Sequence, residues 1–252
     1  QQLDIAQPAL QSYNELAWVT DTGEYVEIAD HNDFSFDTGG TDDPFSLSAW
    51  IYQAEDDALY ILTKGGYATY HKLEYSLYAN SSQGIYFYLY DGPADSAVYY
   101  SEFKIYIDGV NVTTTSSEGG DYARMSNQAL SLMMFKAGAS GSFTGPGSIT
   151  EAAVWADELS AAEVVELYND GKALDATTHS ATANIKGYWR NNGLSTWTNV
   201  KNPGTHDATV TNITETLLIP QGVDGSRDAQ GFIMNKPRNT SSLNLTKSST
   251  AA

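Results

Sequence analysis

Acidic side chains outnumber basic ones by 31 to 13 in this chain of 252 residues, which gives a formal net charge of −18. Phosphate binding needs clustered cations, so this balance argues against nucleic acid as the main ligand, and we expect none. The absence of cysteine excludes a disulfide framework and a thiolate metal site, and no apolar run reaches the roughly 20 residues that a membrane-spanning helix needs, so we expect no membrane partner.

The first residues of the chain differ from the middle. Residues 1–17 precede the first convincing strand pattern, and the whole of 1–63 contains neither Lys nor Arg. We predict an N-terminal arm over residues 1–17 and a folded domain that begins at residue 18.

A turn rich in polar oxygens follows the first strand pattern. Asp30, Asn32 and Asp33 offer the hard ligands that calcium accepts, although their spacing is not that of an EF-hand loop. The alternative is an Asx-type turn, in which such side chains bond their own backbone. The four histidines, at positions 31, 71, 179 and 206, have no paired metal-ligand spacing. We therefore predict no metal cofactor, with calcium at this turn as the one candidate.

Alternating apolar and polar residues dominate the middle of the chain. Such period-two alternation predicts strands with one face toward a core and the other face outward. The runs are "FSLSAWIY" (45–52), "ALYILTKG" (58–65), "LEYSLY" (73–78), "IYFYLY" (85–90) and "FKIYIDG" (103–109). Turn signals such as Lys64-Gly65-Gly66 and Asp108-Gly109 separate them. The pattern predicts an all-β, antiparallel protein, built as a sandwich.

Aromatic rings concentrate on the outward positions of these strands. Tyrosine combines a large apolar area with a polar tip, so a row of such rings can stack on sugars or be buried against another protein. The alternative is that the rings pair across strands and stabilise the sheet itself. Between the two kinds of contact we favour protein, because a sugar platform usually needs only two or three rings. The predicted contact face comprises Trp50, Tyr52, Tyr60, Tyr86, Tyr88, Tyr90 and Tyr106.

One helix is predicted in "DELSAAEVVELYNDGK" (157–172). Ser160 and Glu163 have the spacing of a capping box, and Leu159 and Val164 have that of a hydrophobic staple. Gly171 suits the left-handed residue that follows a helix. We predict a short structural helix at the edge of the sandwich.

Four stretches in order carry a family resemblance: "GEYVEIADHNDFSF" (23–36), "FSLSAWIYQAEDDALYILTKGG" (45–66), "IYIDGVNV" (105–112) and "GSITEAAVWADELSAAEVVELYNDG" (147–171). Together they resemble the concanavalin A-like jelly rolls of the laminin-G-like and pentraxin-like kind. The resemblance implies an antiparallel jelly-roll β-sandwich with one short helix, extending over residues 18–220.

The chain departs from this family at two places. A strand with a Trp-His pair normally precedes the "Y-x-D-G" strand, but only about ten residues separate Asp91 from Phe103. Either the sandwich has lost a strand or a segment is missing from the sequence. The usual acidic residue of the closing strand is replaced by Thr150, with Glu151 beside it, which argues against an inherited calcium site.

Some members of the superfamily are glycosidases and resemble one another through an E-x-D-x-(x)-E strand, which supplies paired carboxylates. The nearest match here is Glu55-Asp56-Asp57, where the third acid is missing. An acidic turn between strands explains this stretch better than catalysis does. We predict that the protein is not an enzyme.

The end of the chain resembles a second group of proteins. The segment "NIKGYWRNNGLSTWTNVKNPGTHDATVTN" (184–212) is similar to the extension that follows such domains in virion proteins of marine tailed phages, and "RDAQGFIMNKPRNTSSLNL" (227–245) follows it. The resemblance implies a virion structural protein, in a capsid decoration, fibre or tail appendage, that contacts other virion proteins and copies of itself. The alternative is a carbohydrate-binding module of a secreted or cell-surface protein that binds glycans.

Residues 221–252 are rich in Asn, Ser and Thr and cannot build a core of their own. From residue 225 onward Asp228 is the one acid. We predict a C-terminal docking arm over 221–252 that binds acidic neighbours through its cations. These are Arg227, Lys236, Arg238 and Lys247.

Overall fold

The computed structural model describes residues 13–18, 23–38, 40–53, 58–66, 72–80, 84–91, 96–98, 103–113, 122, 124–139, 147–191, 195–213 and 215–220. The strands in this part of the chain are β1 (Tyr13–Trp18), β2 (Tyr25–Ile28), β3 (Asp37–Thr38), β4 (Thr41–Asp42), β5 (Ser46–Gln53), β6 (Leu59–Gly66), β7 (Lys72–Asn80), β8 (Gly84–Asp91), β9 (Ser96–Val98), β10 (Tyr106–Ile107), β11 (Val110–Asn111), β12 (Leu132–Met134), β13 (Gly147–Trp155), β14 (Ile185–Trp189), β15 (Thr196–Trp197), β16 (Ala208–Thr211) and β17 (Glu215–Pro220). The helix α1 (Ala161–Tyr168) is accompanied by short 3-10 turns at Asn32–Phe34, Asn169–Gly171, Ala176–Thr178 and Thr182–Asn184.

Two antiparallel sheets form the sandwich. The larger sheet has eight strands in the order β15-β16-β2-β12-β6-β7-β8-β9, and the smaller has three in the order β14-β13-β5. Three two-stranded ribbons, β1-β17, β3-β4 and β10-β11, complete the described sheets. The predicted all-β antiparallel sandwich with one short helix is confirmed. Residues 13–17, predicted as part of the N-terminal arm, lie in β1, and the predicted domain boundaries stay predictions.

The core lies between the two sheets, where the inward faces of the strands meet. The alternation expected for β8 is confirmed, because Leu89 is buried in the core cluster and Ile85 and Phe87 pack against it. Each fully buried large apolar side chain contributes about 1.5–3 kcal/mol to folding. The buried members include Val26, Phe34, Leu59, Ile61, Tyr75, Leu89, Leu132, Ile149, Val154, Trp189 and Trp197.

The helix α1 covers a second, smaller apolar cluster beside β13 and β14. Val164 and Leu167 of the helix pack against a group that includes Trp155, Ile185 and Tyr188. The predicted capping box is confirmed: the Glu163 amide donates to the Ser160 Oγ at 3.3 Å, and the Ser160 amide donates to Glu163 Oε2 at 2.8 Å.

The predicted end of the helix needs a correction. Gly171 does have a left-handed backbone, with φ of 84°, but the residue that caps the helix is Asn169, with φ of 48°. Asparagine tolerates this conformation because its short polar side chain can bond locally. The helix therefore ends two residues before the position that the glycine signal indicated. No helix in the described part of the chain is long and apolar enough to cross a membrane.

Candidate functional site

A row of stacked tyrosines lies on the outer face of the eight-stranded sheet. Strand register creates it, because Tyr60 of β6 pairs with Tyr78 of β7, and Tyr78 pairs in turn with Tyr86 of β8. Residues 86, 88 and 90 then follow one another along β8 on the side opposite the core. We call this set the tyrosine ladder; it comprises Tyr60, Tyr78, Tyr86, Tyr88 and Tyr90.

The rings of the ladder face one another. The Tyr78 centroid lies 5.1 Å from that of Tyr86 and 5.4 Å from that of Tyr88, with interplanar angles of 13° and 5°. Tyr60 and Tyr90 extend the row at 5.5 Å and 6.1 Å from their nearest partners in it. The Tyr78 hydroxyl donates to the Tyr88 hydroxyl at 2.9 Å. These contacts fix the rings in one arrangement before any partner is bound.

Exposure differs along the ladder. Four of the rings are half-buried, whereas Tyr90 is only 7% exposed. Since neighbouring rings are stacked, their faces are turned largely toward each other, and the accessible surface consists of ring edges and hydroxyl groups. Such a surface offers apolar area together with hydrogen-bonding groups, a combination that is typical of protein interfaces.

The structure does not bring all seven predicted contact residues together. Tyr60, Tyr86, Tyr88 and Tyr90 share the ladder, but Trp50 and Tyr52 belong to β5 in the other sheet, and Tyr106 lies in β10. The Trp50 ring instead stacks on Tyr168 of α1, with centroids 5.9 Å apart. Period-two alternation cannot show which sheet a strand joins, and for this reason the prediction merged separate surfaces.

Tyr78 is the member of the ladder that the sequence analysis missed. The stretch "LEYSLYAN" (73–80) contained a signal, because Tyr75 and Leu77 pack in the core and Tyr78 must then point outward. Its place at the centre of the ladder depends on the pairing of β7 with both β6 and β8.

An apolar groove of about 970 Å³ runs beside β5. Among the described strands β5 pairs with β13 alone, so it forms an edge of the smaller sheet. Exposed sheet edges are where proteins commonly accept an additional extended strand. The residues that line this edge groove include Leu47, Ile51, Ile85, Phe87, Ile105 and Ile107.

Acidic groups surround much of the edge groove. Asp42, Asp43, Asp108 and Glu158 line it together with Lys104, whose Nζ lies 2.6 Å from Glu158 Oε1. Burial raises the pKa of Asp42, and this effect exceeds the lowering by its bonds to the Tyr122 hydroxyl and the Met125 amide. The groove is therefore apolar inside and acidic at its margin, which favours a ligand that carries cations beside apolar side chains.

Glu151 also lines the groove, but it is already engaged. Its carboxylate accepts hydrogen bonds from the Tyr188 hydroxyl and from Arg190 Nε, and Arg190 in turn pairs with Asp175 at 3.0 Å. Burial, followed by the charge of Glu151, holds the pKa of Tyr188 well above its usual range. Glu151 lies where the register of β13 with β5 shifts, between Thr150 and Ala153. Glu55 and Asp57 lie outside the described residues.

The turn predicted as a calcium candidate does not gather its oxygens around one point. Asp30 Oδ1 accepts from Lys64 Nζ at 2.6 Å, and Asn32 Oδ1 accepts from Asn127 at 3.0 Å. Asp33 Oδ2 instead lies 3.1 Å from His206 Nε2. Each oxygen has a different neighbour, because the turn packs against three other parts of the chain.

Asp33 is the centre of a cluster that the sequence could not reveal. His31 Nδ1 is 3.3 Å from Asp33 Oδ2, and the two imidazole rings of His31 and His206 have centroids 4.4 Å apart. Lys186 Nζ lies 3.6 Å from Asp33 Oδ1. Burial alone would raise the pKa of Asp33, but the His206 hydrogen bond and the charge of Lys186 outweigh it, so the pKa is lowered.

The cations predicted for the docking arm, Arg227, Lys236, Arg238 and Lys247, lie outside the described residues. The arm therefore stays a prediction.

Comparisons with known proteins found similarity among solved structures. No protein-family model matches the chain, and no curated protein matches it. Among solved structures, the chain is similar to a candidate carbohydrate-binding protein from Bacteroides ovatus, with 14% sequence identity and a TM-score of 0.47. The match covers 84% of this chain and 60% of that protein, so the chain spans less than two thirds of that protein's length.

Proposed function

We propose that this chain is a non-enzymatic structural protein of a virus particle, in a capsid decoration, a fibre or a tail appendage, and that it assembles through the tyrosine ladder. The ladder is the observation that carries the proposal. It places five aromatic rings on one outer face of the larger sheet, four of them half-buried. Fixed aromatic groups of this kind are typical of the residues that dominate the affinity of protein interfaces.

The order of the ladder favours association with another protein. Immobilising a side chain that is free in solution costs about 0.5–1.5 kcal/mol at an interface. The rings of Tyr78, Tyr86 and Tyr88 are already held by stacking and by a hydroxyl–hydroxyl bond. The ladder therefore loses little conformational freedom when a partner covers it, and more of the contact energy appears as affinity.

The edge groove provides a second contact, for which we propose the docking arm of a neighbouring copy as the occupant. Residues 225–252 carry four cations against Asp228, while the groove margin is acidic. An extended arm could pair with the edge of β5 and place apolar residues such as Phe232 and Met234 in the groove. The chain as a whole has a net charge of −18, so its body is acidic and complements the basic arm. Binding of the arm of one copy to the body of the next builds a homo-oligomer within the particle.

Deleting residues 225–252 is expected to abolish incorporation into particles, because the arm can no longer bind a neighbour. Particles assembled with the truncated chain would be purified and their content of it measured by quantitative mass spectrometry. A full-length variant with Arg227, Lys236, Arg238 and Lys247 changed to Gln serves as the matched control and should show an intermediate loss. Unaltered incorporation of the truncated chain would contradict the docking arm.

A carbohydrate-binding module of a secreted or surface protein is the second candidate, since the ring edges and hydroxyl groups of surface tyrosines can also contact sugars. It predicts millimolar to micromolar binding of host polysaccharide, which Tyr88→Ala should weaken about tenfold or more, in line with the loss of one aromatic contact. Binding would be measured on a broad glycan array and then by calorimetry. Tyr106→Ala, outside the ladder, is the control. The absence of binding across the array would remove this candidate.

A further inference from the structure

We propose that His31, Asp33 and His206 form a binding site for zinc or a similar divalent transition metal. The three side chains come from two loops that are distant in sequence: one follows β2, and the other joins β15 to β16. One ligand atom from each residue lies within 4.8 Å of the other two. This inference is independent of the proposed assembly function.

The spacing of the ligand atoms fits a tetrahedral site. Zinc bonds to imidazole nitrogen and carboxylate oxygen are about 2.0–2.2 Å long, so two ligand atoms of a tetrahedral site lie about 3.3–3.5 Å apart. Asp33 Oδ2 is 3.3 Å from His31 Nδ1 and 3.1 Å from His206 Nε2. An ion at this position replaces the hydrogen bond between His206 Nε2 and Asp33 Oδ2, and the coordinating imidazole nitrogens must be unprotonated to bind it.

The ligand chemistry selects the class of metal. Two imidazoles and one carboxylate suit zinc and its neighbours in the first transition row, whereas calcium and magnesium prefer sets made of oxygen alone. Three protein ligands leave the fourth position to water or to a group from another molecule. The fourth position can be reached from solvent, because the side chains of His31 and Asp33 are 52% and 37% exposed.

The surroundings hold the ligands in place. The His206 carbonyl accepts from Trp189 Nε1 at 2.8 Å, and its ring lies edge-on to Phe34, with centroids 4.9 Å apart. His31 Nδ1 accepts from the Asp33 amide at 3.1 Å, and because this nitrogen has one lone pair, metal coordination through Nδ1 requires that bond to break. The contacts of His206 fix its orientation and support metal affinity.

Lys186 is a built-in competitor for the carboxylate. Its Nζ lies 3.6 Å from Asp33 Oδ1, and a bound cation would repel it. Changing Lys186 to Met removes that competition while leaving all three ligands in place. If the cluster serves only as an ion-pair network, Lys186→Met should lower stability and bring no gain in zinc affinity.

The test uses the untagged full-length chain, treated with chelator and then titrated with zinc chloride by calorimetry and with cobalt chloride by absorption spectroscopy. We expect one ion per chain, the intense visible absorption of tetrahedral Co²⁺, and a higher melting temperature with zinc, because a ligand that binds only the folded state stabilises it. His31→Ala and His206→Ala should each weaken zinc binding at least tenfold, in the range found when metal-site groups are lost.

Two further variants complete the test. Asp170→Asn changes an exposed acid outside the cluster and should leave zinc affinity unchanged. Lys186→Met should raise zinc affinity about two- to fivefold, the factor that corresponds to an exposed ion pair, and this gain of binding cannot arise from misfolding. Failure to bind zinc, or binding that neither histidine variant weakens, would overturn the site, as would lower affinity in Lys186→Met.

Discussion

Changing Tyr86 and Tyr88 together to Thr is expected to reduce incorporation into particles by at least about a hundredfold. Truncation of one interface aromatic commonly costs 2 kcal/mol or more, and each 1.4 kcal/mol is a factor of ten in affinity. Threonine keeps a good strand former at both positions, so β8 retains its backbone pairing with β7. Incorporation would be measured by quantitative mass spectrometry of purified particles, alongside thermal unfolding of the free chain.

Tyr25→Thr is the matched control for the tyrosine ladder. It removes a half-buried aromatic ring in β2 of the same sheet, outside both the ladder and the edge groove, so incorporation should be retained. The ladder has a competing explanation, in which its rings only stabilise the sheet through cross-strand pairs. Lower thermal stability of the double variant with undiminished incorporation would favour that explanation and contradict an assembly role.

Lys64→Met is expected to lower the free energy of unfolding by about 3–5 kcal/mol, which is typical when one partner of a buried ion pair is removed. The side chains of Lys64 and Glu74 are completely buried, with Nζ 3.2 Å from Glu74 Oε1. Lys64 also pairs with Asp30, which ties β6 to the turn after β2. Without the ammonium group, Glu74 is left as an uncompensated buried charge. Urea unfolding of the wild-type and variant chains measures the loss.

The loss should depend on pH in a defined direction. Burial raises the pKa of Glu74, while Lys64 and the bonds from the Gln128 amide and Ser35 lower it in part. Removing Lys64 raises that pKa further. A group whose pKa is higher in the folded state adds stability below its unfolded pKa and loses it as pH rises through the folded value. The deficit of Lys64→Met should therefore shrink as pH falls from 7 toward 5.

A second substitution gives the control. Adding Glu74→Gln to Lys64→Met removes the orphaned charge while keeping an oxygen that can accept from Gln128 and Ser35. We expect the double variant to recover at least half of the lost stability at pH 7. If the losses of unfolding free energy in Lys64→Met and in Glu74→Gln alone simply add in the double variant, an orphaned charge on Glu74 is not the cause of the instability.

Local patterns in the sequence predicted local features well. The alternation along β8 was enough to separate its core residues from its tyrosines, and the Ser160–Glu163 spacing was enough to place the start of α1. Both features depend on residues a few positions apart. The register shifts in β6, at residues 60–62 and 64–65, have no comparable signal, and they accompany the burial of Lys64.

Contacts between distant segments were beyond the sequence. Tyr78 joins the ladder because β7 lies between β6 and β8, whereas Trp50 is separated from it because β5 joins the other sheet. Asp33 and His206 are 173 residues apart and meet through the packing of two loops. Such meetings depend on sheet order, which hydrophobic periodicity does not encode.

Direct imaging of the protein in material taken from its source tests the central claim, namely that this chain is an assembled structural protein. Electron cryo-tomography with subtomogram averaging should find it at regular positions on a capsid, fibre or tail, with the tyrosine ladder covered by a neighbouring subunit. A free monomer in the same material, or a particle in which Tyr60, Tyr78, Tyr86 and Tyr88 all face solvent, would contradict it.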